Sequence, residues 1–234
     1  MRLINTSSLD LLLVVDSTQE KYVVLSHVWG NEEVTFQELS QLASRSKSGF
    51  DKIEKTCSLA RQQGFDWTWV DTCCIDKSSS AELSEAINSM FTWYRDSHVC
   101  FVHLADLEPI PTDMNRRDRQ SFLNEYLPRC RWFTRGWTLQ ELIASSKVEF
   151  YDQEWNFVGT KSDLENILSR IINIDSAVLR DSSRLREVPV ARRMSWASMR
   201  QTTRKEDVAY CLLGIFDINM LLLYGEGEKA FLRL

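Results

Sequence analysis

The chain has 234 residues with 28 basic and 33 acidic side chains, a formal net charge of -5, and hydrophobic and charged fractions of 44% and 26%. That is the composition of a globular protein long enough to bury a substantial core, and the acidic balance gives no electrostatic case for nucleic acid or an anionic membrane. The longest apolar runs, 11–15 and 220–224, fall far short of the roughly 20 residues that span a bilayer, and the first five residues make a poor signal peptide, so a cytoplasmic location is expected.

Residues 21–27 form a β-branched and aromatic run that stops at the turn signal Trp29-Gly30-Asn31. Near-continuous apolarity suggests a strand buried on both faces, as in parallel sheets. A helix is expected over 51–63, with Ile53, Cys57 and Ala60 on one face and Gly64 as its stop. Residues 65–71 read as a second strand and 72–80 as a loop. Ser80 is placed to cap a helix over 81–95, where Leu83, Ala86, Ile87, Met90, Phe91 and Tyr94 follow the i, i+3, i+4, i+7 spacing. A third buried strand covers 99–104, and Pro109 and Pro111 end that unit. A polar helix over 115–126 carries Arg116, Arg117 and Arg119, interrupted by Asp118, which reads as a solvated face. After Pro128 a loop over 131–136 enters a helix at 138–144, and 147–151 is a fourth strand. Trp155 and Gly159 mark a turn, and Ser162 is placed to cap a helix to 171. Beyond that the pattern is helical alone, at 189–199, 206–216 and from 226 onward.

Strand alternating with helix through residue 151 argues for a mostly parallel sheet of four or five strands with helices on its faces. One domain is expected over 1–234, an α/β core at 1–185 with an α-helical extension at 186–234.

The six cysteines include the adjacent pair Cys73 and Cys74 but no C-x-x-C, and most sit in apolar surroundings, so reduced structural thiols are expected. No histidine and cysteine spacing fits a zinc site, and no metal is expected. A cysteine nucleophile at Cys73 or Cys74 with His27 as base lacks any protease signature around it. The eight glycines make neither G-x-x-x-x-G-K-[ST] nor G-x-G-x-x-G, so no dinucleotide cofactor is expected.

Six ordered segments carry a family resemblance: 25–30 (LSHVWG), 69–77 (WVDTCCIDK), 85–94 (EAINSMFTWY), 131–142 (RWFTRGWTLQEL), 203–210 (TRKEDVAY) and 223–227 (LYGEG). Together they resemble the HET (heterokaryon incompatibility) domain of filamentous fungi, the amino-terminal part of vegetative-incompatibility proteins that carry NACHT and WD-repeat regions downstream. The resemblance implies a cell-death effector of self/non-self recognition, akin to innate immunity, switched on by self-association. The family is similar in turn to TIR domains, which implies a flavodoxin-like sheet. Some TIR domains cleave NAD with a helical glutamate in a Trp-Cys-x-x-Glu motif. Trp137-Thr-Leu-Gln-Glu141 has that spacing, with Thr138 in place of the cysteine.

Glu141 is therefore the candidate catalytic residue, with NAD as a consumed substrate. A carboxylate near the start of a short helix also suits the positive helix terminus. His27, Trp29 and Asn31 follow the first strand, and Asp71, Thr72 and Asp76 follow the second, where open α/β sheets bind ligands. His27, Trp29, Asp71, Arg135 and Trp137 are the candidate substrate-binding residues. Taken singly, His27 is more often a hydrogen-bonded structural residue and Asp71 a loop anchor. Trp132 and Phe133, flanked by Arg131 and Arg135, are the tryptophan-region residues expected to stack on a ring or a partner. The expected chemistry is NAD glycohydrolysis, and the alternative is a non-catalytic module that recruits partners by homotypic contacts. Glu141→Gln is expected to cut turnover about 10²-fold with little change in melting temperature.

Overall fold

The computed structural model describes residues 1–234. Its elements run β1 (Arg2–Asn5), β2 (Leu11–Leu13), β3 (Tyr22–His27), α1 (Ser48–Gln62), β4 (Trp67–Trp69), a short α2 (Asp71–Cys74), α3 (Ser80–Asp96), β5 (Val99–His103), α4 (Arg116–Tyr126), α5 (Trp137–Ala144), β6 (Val148–Tyr151) and β7 (Phe157–Thr160). Six helices follow: α6 (Glu165–Ile172), α7 (Ser176–Arg180), α8 (Val190–Ala197), α9 (Asp207–Tyr210), α10 (Leu213–Phe216) and α11 (Lys229–Arg233).

The strands form one seven-stranded sheet in the order β2-β1-β4-β3-β5-β6-β7. The central strands β4, β3, β5 and β6 are parallel. Both edges are antiparallel, β2 and β1 on one side and β7 on the other. The fold class is as expected, α/β with a helical carboxyl-terminal part. Within the parallel core, chain order runs 2-1-3-4, the doubly wound pattern whose direction reverses between β3 and β5. Every residue of β3 and β5 is buried, because parallel strands at the centre of the sheet meet helices on both faces.

Seven strands replace the four or five expected. β1 and β2 make a short edge hairpin, and β7 lies where Trp155 and Gly159 signalled only a turn. Trp155 does turn the chain, at φ 67°, and Gly159 sits within β7 at φ 153°. Local starts also moved. Ser79, not Ser80, caps α3, accepting the Glu82 N–H at 3.3 Å. Ser162 caps nothing, and α6 begins after Leu164. The helix expected at 206–216 is two short helices, α9 and α10.

Helices α6, α7 and α8 and Ile215 of α10 join the main hydrophobic core, while Ala209 and Tyr210 of α9, Leu213 of α10 and Ala230 of α11 form a second, smaller cluster with Ile87 of α3. α10 lies on α3 at Gly214, where a Cβ would stand 2.1 Å from the Phe91 Cβ. The Asn88 amide of α3 exchanges two hydrogen bonds with the Met220 backbone, at 3.1 and 3.0 Å. No helix is long and apolar enough to cross a membrane.

Candidate functional site

A cavity of about 240 Å³ opens at the carboxyl ends of β3 and β4, between α3, α5 and the segment that follows α8. Its lining includes His27, Trp29, Asp71, Arg135, Trp137 and Glu141, so residues 114 positions apart converge on one hollow. Its apolar wall comes from α3, through Leu83, Ile87 and Met90. The volume sits just below the roughly 300–1,000 Å³ typical of small-molecule sites.

Glu141 forms the floor. It is the fifth of eight residues in α5 and 7% exposed. That position corrects the expectation of a carboxylate serving the helix amino terminus: the residue lies past the first turn, where the terminal charge has faded. The Ser26 hydroxyl of β3 donates to its carboxylate. Ser26 in turn accepts the Trp132 indole N–H at 2.8 Å. Burial pushes the Glu141 carboxyl up, to about 8, against the lowering effect of the Ser26 hydrogen bond. The Asp71 charge adds to the rise, and Arg135 opposes it. Glu141 is therefore largely neutral at neutral pH, where the mechanism expected from sequence needs the ionised form.

His27, Trp29 and Asp71 form a network at the mouth. The His27 Nε2 lies 3.2 Å from Asp71 Oδ1, and its Nδ1 3.3 Å from the Lys52 ammonium. Lys52 can only donate, so Nδ1 accepts and the ring proton sits on Nε2, facing Asp71. The Trp29 indole N–H donates to Asp71 Oδ2 at 2.9 Å. Lys52 is itself paired with Glu33. Burial would raise the Asp71 carboxyl, but the hydrogen bonds from His27 and Trp29 and the nearby Lys77 charge hold it below its ordinary value. Both ring nitrogens of His27 are thus committed. The thiols of Cys73 and Cys74 engage the Val70 backbone instead, so the structure assembles no cysteine–histidine pair there.

The opposite wall is built by residues that sequence reasoning did not single out. The Asp207 carboxylate accepts from the Trp137 indole at 3.2 Å and the Tyr224 hydroxyl at 2.9 Å. Burial raises its carboxyl above the ordinary value. Gly136 brings this wall against α5. A Cβ there would meet Thr202 at 2.6 Å and Cys211 Sγ at 3.0 Å, and the Gly136 N–H donates to the Gln201 carbonyl at 2.9 Å. The signal was available: segments 203–210 and 223–227 were quoted for the resemblance, and they supply Thr203, Arg204, Asp207 and Tyr224 to the cavity.

Three expectations fail here. Trp132 is fully buried and Phe133 6% exposed. The 3₁₀ turn Arg131–Thr134 folds both rings into the core, so neither is available to stack on a ligand. Asp76 turns away from the cavity, accepting from Gln37 at 2.7 Å and Ser78 at 2.6 Å. Asn31 and Thr72 do not line it. Lys161, in contrast, gains an unforeseen part: its buried ammonium donates to the Leu142 and Ser145 carbonyls at 2.7 and 2.8 Å. It closes the carboxyl end of α5, the helix that carries Glu141.

Residues 22–113 match the family described as heterokaryon incompatibility protein (HET). The chain is similar to vegetative incompatibility protein HET-E-1 of Podospora anserina, with 47% identity over 216 residues. That match covers 91% of this chain and 16% of the relative, so the chain spans a small part of the relative's length. No solved structure matches significantly.

Proposed function

From a chain that carries a heterokaryon incompatibility (HET) domain, we propose a death-effector role in fungal vegetative incompatibility, exerted by cleaving NAD at the nicotinamide–ribose bond when copies of the domain self-assemble. The observation that carries this reading is the convergence of six separately chosen residues on one cavity with Glu141 at its floor. In NAD the nicotinamide is a cationic pyridinium and leaves as a neutral ring, so the second carboxyl of an ordinary glycosidase is dispensable. The remaining need is to hold the ribose and stabilise an oxocarbenium-like transition state, whose ribosyl carbon then takes up water and releases a proton to give ADP-ribose.

Glu141 meets that need in its ionised form, accepting hydrogen bonds from ribose hydroxyls and facing the developing positive charge. The positive ring of bound NAD favours the ionised carboxylate. Substrate binding therefore drives a proton off Glu141, and a residue neutral in the empty pocket becomes charged in the complex. Ser26 fixes the carboxylate rotamer, and Trp132 fixes Ser26. Asp71, held by His27 and Trp29, and Arg135 and Trp137 line the path inward. TIR-like catalysis enters through this pocket and through the parallel strand order.

A second reading rests on the same burial: a neutral, hydrogen-bonded glutamate is also what a purely structural core acid looks like. Under that reading the domain signals by homotypic contact alone. The two part on NAD consumption by the purified domain, dilute and then concentrated with a crowding agent. Consumption that rises with assembly supports catalysis. An assembled domain that leaves NAD intact refutes it and leaves the scaffold.

A further inference from the structure

The charged groups of the cavity are partnered unequally. Of its three carboxylates, Asp71 is held by His27 and Trp29, Asp207 by Trp137 and Tyr224, and Glu141 by Ser26. Its three cations are Lys77, Arg135 and Arg204. None of them takes part in any of the ion pairs within 4.0 Å. Lys77 stands over the Trp29 ring at 3.8 Å, and Arg204 over the Tyr224 ring at 4.3 Å. Arg135 reaches only the Thr203 hydroxyl, at 3.3 Å.

Behind this wall lies a fourth cation. Arg200 donates to the Arg135 carbonyl at 2.7 Å and the Thr138 hydroxyl at 3.0 Å, and its Nη2 is buried without a partner. Arg200 makes no ion pair, and its guanidinium, which interacts with the Glu141 carboxylate, adds positive potential behind the wall. The lining thus sets three cations against three carboxylates, in a chain of net charge -5, so the hollow is less acidic than the protein as a whole.

The cations also have a place. Glu141 is at the floor, whereas Arg204 is exposed and Lys77 and Arg135 are half-buried. Aromatic faces orient Lys77 and Arg204 without neutralising them, and apart from the contact of Lys77 with the Thr72 carbonyl at 3.5 Å their N–H groups are left for a ligand. Guanidinium groups match phosphate oxygens in geometry as well as charge.

We infer that Lys77, Arg135 and Arg204 form a phosphate-recognition rim, which selects a phosphorylated ribonucleotide over the free nucleoside and sets its sugar toward Glu141. The inference rests on reading this cavity as a substrate site but not on the cleavage step. A nucleoside diphosphate linked to a second ribose fits both parts, its anionic bridge at the rim and its glycosidic end at the floor. An acidic peptide would use the rim alone and leave the floor empty.

The test is calorimetric binding of ADP-ribose and of nicotinamide riboside to the 234-residue chain, as wild type, Arg204→Gln, Arg204→Lys and Lys77→Gln, with circular dichroism to verify folding. Arg204→Gln and Lys77→Gln are each expected to weaken ADP-ribose binding roughly ten- to a hundredfold, the loss of one charge-assisted contact. Arg204→Lys should recover much of the loss, and nicotinamide riboside should bind all four proteins alike. ADP-ribose affinity unchanged in both glutamine variants overturns the rim, as does a wild type that binds no ADP-ribose at millimolar concentration. ADP-ribose binding that depends on the rim, in an assembled domain that never consumes NAD, sinks the cleavage reading alone. NAD consumption with affinity indifferent to Arg204 and Lys77 sinks the rim alone.

Discussion

Replacing Glu141 with glutamine should make the protein more stable as pH rises, and the size of the effect follows from where the carboxyl sits. In the unfolded chain the group ionises near its ordinary 4.5, and in the folded chain near 8, because burial disfavours the charge. Between those values the folded state keeps a proton that the unfolded state has lost. Stability therefore falls as pH rises from about 4.5 to 8 and is flat in this term outside that window. Glutamine is neutral throughout and lacks the term, while it keeps an oxygen to accept from Ser26. At 1.36 kcal/mol per pKa unit, the variant should gain roughly 4 kcal/mol over wild type between pH 5 and pH 9, an upper figure because water entry softens burial. All other titrating groups are common to both proteins and cancel in the difference. The assay is urea unfolding of both proteins at pH 5, 7 and 9, extrapolated linearly to zero denaturant. A wild-type-to-variant difference constant to within about 1 kcal/mol across the series would refute the premise that Glu141 is a buried, largely neutral acid. The structure thus replaces the sequence-based expectation of little change in melting temperature with one that holds near pH 5 and fails at pH 9.

In the assembled domain, kcat/KM for NAD should climb with pH and level off above about 8, since kcat/KM follows the ionisation of Glu141 in the free protein even where the proton leaves on binding; a profile flat from pH 6 to 9 contradicts that role. Lys161→Met should destabilise the fold by roughly 1–3 kcal/mol by leaving the Leu142 and Ser145 carbonyls without their charged donor. Chemical denaturation at pH 7 checks it, and an unchanged midpoint would show that the end of α5 needs no such closure. Gly214→Ala should cost at least about 2 kcal/mol, because the new Cβ would stand 2.1 Å from the Phe91 Cβ, which the backbone of α3 holds in place. A melting temperature equal to wild type would mean that α10 does not rest on Phe91.

The parts of this molecule that sequence made legible are those whose burial is written locally. β3 and β5 lie in the middle of the sheet, and their residues must be apolar on both faces. The face of α3 that repeats from Leu83 to Tyr94 lies against the core and the cavity. The edge strands carry no such signal. β1 and β2 are four and three residues long, too short for alternation to emerge, and Gly159 disguises β7 as a turn. Trp132 misled for a different reason. Its arginine neighbours suggested exposure, but a 3₁₀ turn points the indole inward to Ser26. The far wall is marked by the segments that carry the resemblance, but its position depends on contacts of long range. Asp207 reaches Trp137, and Tyr224 reaches Asp207, only after the chain has returned through α8 to α10. Nothing within a window of fifteen residues announces that return. His27, Trp29 and Asp71 are legible nonetheless, because strand ends in a parallel sheet share one edge, whereas Glu141 is marked by the family resemblance.

The most direct measurement is the rate of nicotinamide release from NAD by the concentrated, assembled domain, as wild type and as Glu141→Gln, with light scattering to establish equal assembly. The account predicts turnover in the wild type and a loss of about 10²-fold or more in the variant, the scale for removing a main electrostatic stabiliser. Equal rates in the two proteins, or no release from either once assembled, would contradict it.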